Sequence, residues 1–208
     1  MKGLIFDLDG TLVNSKEGIV YSFKHAFEKV FGYLPNFSID ELIGPPLNDI
    51  LKQFINPTPI EEKAFLSCFK KHYDSSGFTK TYLFNGVIDK LDSLRIKNRL
   101  FIATNKREKP TLKILEILNL IDYFELVICS DSNGINRKKY QMINNIINFS
   151  KLERNNYYLI GDTVHDLKAA NKSKIKFIFA SYGYGKIVDK KVNKIDKISN
   201  LKINYEEK

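Results

Sequence analysis

Two carboxylates lie two residues apart where an apolar run ends: Leu4-Ile5-Phe6 leads into Asp7-Leu8-Asp9-Gly10-Thr11. A carboxylate buried without a partner costs several kcal/mol or takes up a proton. Residues at i and i+2 of an extended segment point the same way, so Asp7 and Asp9 are expected to crowd each other. A second acidic stretch, Gly161-Asp162-Thr163-Val164-His165-Asp166, follows another apolar run. Asp7, Asp9 and Asp162 together would place three carboxylates in a small space, where repulsion protonates some of them unless a cation sits among them. Oxygen ligands of this kind suit a hard divalent ion, and Mg²⁺ is usual when a phosphate completes the shell. A lysine would add to the compensating charge. No His/Cys cluster has zinc spacing. For Asp162 and Asp166 the competing reading is a plain cap on the helix that follows.

These groups need a scaffold, and five short apolar runs supply it: Leu4–Leu8, Leu100–Ala103, Leu126–Cys129, Tyr157–Ile160 and Phe177–Ala180. Each has the length of a strand, and nearly unbroken hydrophobicity implies burial on both faces. Between the later runs lie segments of helical period. Pro110 to Leu120 carries Leu112, Leu115, Ile117 and Leu118, with Pro110 suited to a first turn, and Met142 to Phe149 carries Ile143, Ile146 and Ile147. Alternating strand and helix predicts an α/β fold with a doubly wound parallel sheet. The runs end in Asp7/Asp9, Thr104-Asn105-Lys106, Ser130-Asp131 and Asp162/Asp166. All are carboxyl ends of parallel strands, the edge at which such sheets bind ligands.

About ninety residues separate the first run from the second, far more than one crossover helix needs. Ser15 to Phe31 reads as a helix with Ile19, Phe23, Ala26, Phe27 and Val30 inward, and Gly44-Pro45-Pro46 and the Pro57/Pro59 pair divide the rest. A small helical subdomain is therefore predicted at 15–80, inserted after strand 1 into a sheet domain formed by 1–14 and 81–208. The chain re-enters the sheet domain near Asn85-Gly86. After Gly185 a last strand or helix and a loose, lysine-rich terminus are expected.

The chain has 208 residues and a formal net charge of +9. Its lysines are scattered, densest between Lys186 and Lys202, which argues for solvated faces and against a nucleic-acid partner; a positive potential would draw in an anionic small molecule. No apolar stretch approaches the roughly 18 residues of a membrane span. The first strand leaves no room for a signal peptide, so a cytoplasmic protein with no membrane partner is expected. Cys68 and Cys129 form no CxxC and are expected to be reduced.

Asp7-Leu8-Asp9-Gly10-Thr11-Leu12 resembles the first motif, DxDGT, of the haloacid dehalogenase-like (HAD) hydrolase superfamily. Thr104 resembles the second motif, a lysine at 138–139 the third, and Gly161-Asp162-Thr163-Val164-His165-Asp166 the fourth, GDxxxD, in the family's order. The insertion resembles the helical cap of the phosphoglycolate phosphatase-like subgroup, as does Ile43-Gly44-Pro45-Pro46-Leu47.

The resemblance implies a Rossmann-like core and a Mg²⁺-dependent phosphatase acting on a small phosphomonoester such as phosphoglycolate, a sugar phosphate or a nucleotide. In that scheme Asp7 is the nucleophile that forms an aspartyl-phosphate, and Asp9 protonates the leaving oxygen and then activates water. Mg²⁺ is held by the Asp7 carboxylate, the Asp9 main-chain carbonyl and Asp162, with Asp166 behind them. Thr104, Asn105 and one lysine meet the phosphate. Lys139 is preferred to Lys138 because apolar residues fall three and four positions later, at Met142 and Ile143; family members often carry proline where this chain has Tyr140. Thr11 shapes the first loop or is a plain cap for the next helix. His25, His72 and His165 are expected to be bystanders. Substrate specificity falls to the cap, with Pro45 and Pro46 as a rigid loop and Lys70 and Lys71 where related caps often show an arginine; a lysine meets an anion without bidentate geometry.

Asp9 argues against halide release, which needs no acid two residues past the nucleophile. A sugar phosphomutase keeps both aspartates and remains an alternative. A signalling receiver domain phosphorylated on aspartate has its acceptor after the third strand and carries no cap, and a non-catalytic phosphate-binding relative would leave catalytic positions unfilled. The oligomeric state is not legible.

Overall fold

The computed structural model describes residues 1–38, 42, 47–189 and 191–205. Six parallel strands form the central sheet: β1 (Lys2–Phe6), β4 (Asn98–Thr104), β5 (Leu126–Cys129), β6 (Tyr157–Gly161), β7 (Lys176–Ala180) and β8 (Lys194–Ile195). Their order is β5-β4-β1-β6-β7-β8, with β1 between β4 and β6. Register aligns Phe6 with Ile102 and with Ile160, so Asp7, the end of β4 and the end of β6 share one edge. The central strands are apolar because both faces are covered. Leu4 and Phe6 join Leu100 and Ile102 under α4 (Val87–Arg95) and α5 (Glu108–Ile117). Ile5 and Phe101 turn the other way, toward α6 (Lys139–Ser150) and α7 (Val164–Ser173). This is the predicted doubly wound α/β sheet.

Several boundaries move. β1 ends at Phe6, two residues before the predicted limit, so Asp7 and Asp9 lie in the loop beyond it. The loop is fixed by main-chain bonds: the N–H groups of Thr11, Leu12 and Val13 all donate to the carbonyl of Leu8. The helix predicted at Pro110–Leu120 runs Glu108–Ile117, with Pro110 in its first turn; Asn119 adopts a left-handed φ of 54° and turns the chain. The tail carries β8 and, among the described residues, a 3-10 turn at Ile198–Asn200.

The insertion folds as α1 (Lys16–Phe31), α2 (Leu47–Phe54) and α3 (Pro59–Ser75). It has its own core, with Phe23, Ala26, Phe27, Ile50, Leu51 and Phe65 buried. Phe23 is its centre, with the rings of Phe27, Phe37 and Phe65 each at 5.5 Å. α3 starts as its sequence requires: Pro59 occupies the first turn, and Thr58 and Glu61 cap it reciprocally. The chain enters the insertion through β2 (Val13–Asn14) and leaves through β3 (Tyr82–Leu83), and these two pair antiparallel. Gly86, at φ 81°, then turns the chain into α4. Among the described residues no helix is long and apolar enough to cross a membrane. Cys68 and Cys129 are unpaired.

Candidate active site

The loop after β1 aims Asp7 at Lys139, the first residue of α6, whose Nζ lies 2.8 Å from Asp7 Oδ2 and 2.5 Å from Asp166 Oδ1. Lys138, the alternative, is the residue preceding that helix. Asp7 Oδ1 also accepts from the N–H of Leu8 at 2.8 Å. Burial lowers the Lys139 pKa, but Asp166 and Asp7 outweigh it and hold the ammonium well above its ordinary range.

Carboxylate oxygens of Asp7, Asp162 and Asp166 all come within 4.8 Å of one another, and all three residues are buried. The carboxylate cluster is thus not the predicted one. Asp166 takes the place given to Asp9, because Asp7 and Asp9 lie in a tight loop and do not share the pleat of a strand. Desolvation raises Asp7 to about 6 despite Lys139. Desolvation and the neighbouring Asp7 raise Asp162 to about 7. When all are ionised, three carboxylates against one ammonium leave an excess of two negative charges. Asp162 Oδ2 accepts from the N–H of Tyr184 at 2.7 Å, whereas its buried Oδ1 has no hydrogen-bond partner. An orphaned carboxylate oxygen beside two other carboxylates fits a divalent cation. Gly10 is required beside it: at φ 80° its α-carbon faces Asp162, and an added Cβ would stand 2.0 Å from Oδ2.

The cap reading of Asp166 holds at the same time. Its Oδ2 accepts from Thr163 N–H at 3.0 Å and Thr163 Oγ1 at 2.6 Å, closing a capping box on α7 while Oδ1 takes Lys139.

The Asp9 carboxylate faces a different cation. Lys106 Nζ lies 3.1 and 3.0 Å from its Oδ1 and Oδ2 and 4.5 Å from the ring centroid of Tyr73 in α3. Arg107 reaches the same helix, donating to Asp74 at 3.0 and 2.5 Å. Sequence reasoning did not assign roles to these two residues, although Lys106 stands two positions past Thr104. The missing signal is the partner, 97 residues away for Lys106 and 33 for Arg107. Tyr184 was missed as well; besides its bond to Asp162, its hydroxyl accepts from the N–H of Ser15 at 2.7 Å.

Thr104 is buried and its Oγ1 accepts from Lys106 N–H at 3.2 Å. Asn105 is exposed and lines the same cavity as Asp7, Asp9 and Thr104. Thr11 is fully buried; its carbonyl accepts from Tyr182 OH at 2.7 Å and its hydroxyl has no partner. Lys70 lines the cavity, whereas the exposed Lys71 is not among the lining residues. Pro45 and Pro46 fall outside the described residues. His165 lines the cavity, and His25 and His72 stack on each other in the cap at 3.9 Å.

Known proteins carry the same arrangement of chain. The tyrosine-protein kinase PtkA of Mycobacterium tuberculosis is 28% identical over 185 residues, 88% of this chain; the chain spans 63% of that relative's length. A phosphoglycolate phosphatase of Aquifex aeolicus is 27% identical over 190 residues, covering 90% of this chain and 88% of the relative. A solved haloacid dehalogenase-like family hydrolase from Streptococcus pneumoniae superposes with a TM-score of 0.86 at 24% identity, over 96% of this chain and 95% of its own. The model of the family described as haloacid dehalogenase-like hydrolase matches residues 4–180, from β1 to the end of β7, and the chain belongs to that family.

Proposed function

We propose that the protein is a Mg²⁺-dependent phosphatase that hydrolyses a small phosphomonoester through an aspartyl-phosphate on Asp7. The observation that carries this reading is the placement of Asp7, held 2.8 Å from Lys139 at a strand end and opening on a cavity it shares with Asp9 and Thr104. The similarity to a phosphoglycolate phosphatase of Aquifex aeolicus supports it.

Asp7 Oδ attacks phosphorus as the P–O bond to the leaving group breaks, and Asp9 gives that oxygen its proton. Asp9 then takes a proton from water as the water oxygen attacks phosphorus and the bond to Asp7 breaks, releasing phosphate and restoring both carboxyl groups. Lys139 holds the Asp7 carboxylate in place and neutralises charge gathering beside it. Thr104 and Asn105 offer hydrogen bonds to the phosphoryl oxygens, Thr11 holds the first loop, and Asp166 orients Lys139. Mg²⁺ would be held by the carboxylates of Asp7 and Asp162 and the main-chain carbonyl of Asp9, and would offset charge on the phosphoryl group. We take 1–14 and 81–208 as the catalytic core and 15–80 as the cap that excludes water, with a reducing cytoplasm as the compartment suited to two free thiols.

Transfer of the phosphoryl group to an acceptor other than water, as in a phosphomutase, is the second reading; the kinase name of the Mycobacterium tuberculosis relative favours keeping it. Both readings share the step at Asp7 and differ in the acceptor. Phosphate release from p-nitrophenyl phosphate, with Mg²⁺ or with a chelator and beside Asp7→Asn, tests the proposal. Metal-dependent turnover that Asp7→Asn abolishes is expected. No release by folded protein with Mg²⁺ removes the phosphatase reading.

A further inference from the structure

The cavity above Asp7 and Asp9 has a volume of about 550 Å³, of which a phosphate group occupies a small part. Its wall on the cap side is apolar: Ile19 from α1, Leu47 and Ile50 from α2, and Phe69 and Tyr73 from α3, with Leu42 beside them. The rings of Phe69 and Tyr73 on that wall stack nearly parallel, 10° apart with centroids at 5.8 Å.

The charges of the cavity are committed elsewhere. Its described cationic lysine and arginine side chains are Lys70, Lys106 and Arg107. Lys106 is taken up by Asp9 and Arg107 by Asp74, each through two contacts. Lys70 is exposed to solvent, so an anion it met would stay hydrated and gain little. A leaving group with its own carboxylate close to the phosphate would lose water without gaining a buried cation. An uncharged ring in the same place buries apolar area against the cap wall.

We infer that the substrate is a phosphomonoester whose leaving group is an uncharged, apolar body of at least aromatic-ring size, seated against α2 and α3. The inference deepens the phosphatase reading and rests on it for the orientation of the phosphate over Asp7. It places specificity in Ile50, Phe69 and Tyr73, with no demand on an anion-reading residue in the cap.

Calorimetric titration of the full chain with Mg²⁺ tests it, using three phosphonates that cannot be hydrolysed. Phenylphosphonate is expected to bind at least about tenfold more tightly than methylphosphonate, from the area one ring buries. Phosphonoacetate, which adds a carboxylate, is expected to gain nothing over methylphosphonate. Phe69→Leu, shown by its thermal melt to be folded, should reduce the phenyl-to-methyl ratio several-fold. Equal affinities, no binding of any of the three, tightest binding of phosphonoacetate, or an unchanged ratio in Phe69→Leu overturns the inference. Phosphonates report seating without bond cleavage, so these outcomes are separate from the p-nitrophenyl phosphate assay. A protein that prefers phenylphosphonate yet releases no phosphate keeps the pocket assignment and loses the phosphatase reading.

Discussion

Lys106 grips Asp9 by both carboxylate oxygens, at 3.1 and 3.0 Å, while its side chain is largely shielded from water. The same ammonium lies over Tyr73 of the cap. The position of the proposed proton donor therefore depends on a residue that touches the cap.

Lys106→Met should slow phosphate release by one to two orders of magnitude, since a misplaced general acid forfeits part of its usual 10²- to 10⁴-fold contribution. Steady-state kinetics on p-nitrophenyl phosphate will read it, with the loss expected mainly in kcat. A variant with unchanged kcat would place Lys106 outside the chemistry.

The pH dependence of stability follows from Asp7 and Asp162, raised by burial from 3.8 to about 6 and about 7. The folded protein then holds protons that the unfolded chain has already shed. That stabilisation is complete below about pH 4 and is lost as pH rises through about 7. A divalent cation replaces the protons, so Mg²⁺ should raise Tm more at pH 8 than at pH 5. Thermal melts with Mg²⁺ or chelator at both pH values check this, and an equal gain at both contradicts the site.

Removing the buried ammonium should be costly even without metal. Lys139→Met leaves Asp7, Asp162 and Asp166 with no cation among them, and the metal-free variant should lose about 3–5 kcal/mol in urea unfolding. Lys138→Met, at the residue before the helix, should lose less than about 0.5 kcal/mol.

Two glycines with left-handed backbone should answer differently to alanine. Gly134 (φ 70°) has open space around its α-carbon, so Gly134→Ala pays only about 1–2 kcal/mol for its conformation. Gly10→Ala adds a collision at 2.0 Å with Asp162 and should also abolish the Mg²⁺-dependent rise in Tm. Parallel melts of the two variants separate backbone strain from damage to the carboxylate site.

The Arg107–Asp74 pair fastens the loop after β4 to the cap and is only partly buried, with 28% and 14% of the side chains exposed. Asp74→Asn should cost about 1 kcal/mol or less in stability yet lower kcat/KM several-fold by loosening the cap. A fall in Tm of more than about 6 °C would instead make the pair structural.

What the sequence disclosed was local. The strand cores of β1, β4, β5, β6 and β7 are apolar because both faces are packed, and Asp7, Thr104 and Asp162 stand at their ends, so position along the chain sufficed to bring them to one edge. A capping role near Asp162 and Asp166 was legible for the same reason, although the N-cap is Thr163, with Asp166 as its reciprocal partner. Partnership across the fold was not. The Asp9 carboxylate leaves the acidic cluster because a loop, fixed by bonds to the Leu8 carbonyl, breaks the alternation assumed for it. Its cation, Lys106, and the Tyr184 N–H on Asp162 arrive from segments 97 and 22 residues away. No periodicity encodes such pairings.

The two-residue strands β2 and β3 put Asn14 opposite Tyr82 and Val13 opposite Leu83. Antiparallel neighbours are only about 5 Å apart, a gap that a two-residue hairpin turn closes. The whole insert is thus a splice between adjacent points, and exchanging it for another, or for a bare turn, asks nothing of the register of the six-stranded sheet. What a different insert would have to reproduce is the grip on the loop after β4, where Lys106 lies over Tyr73 and Arg107 pairs with Asp74.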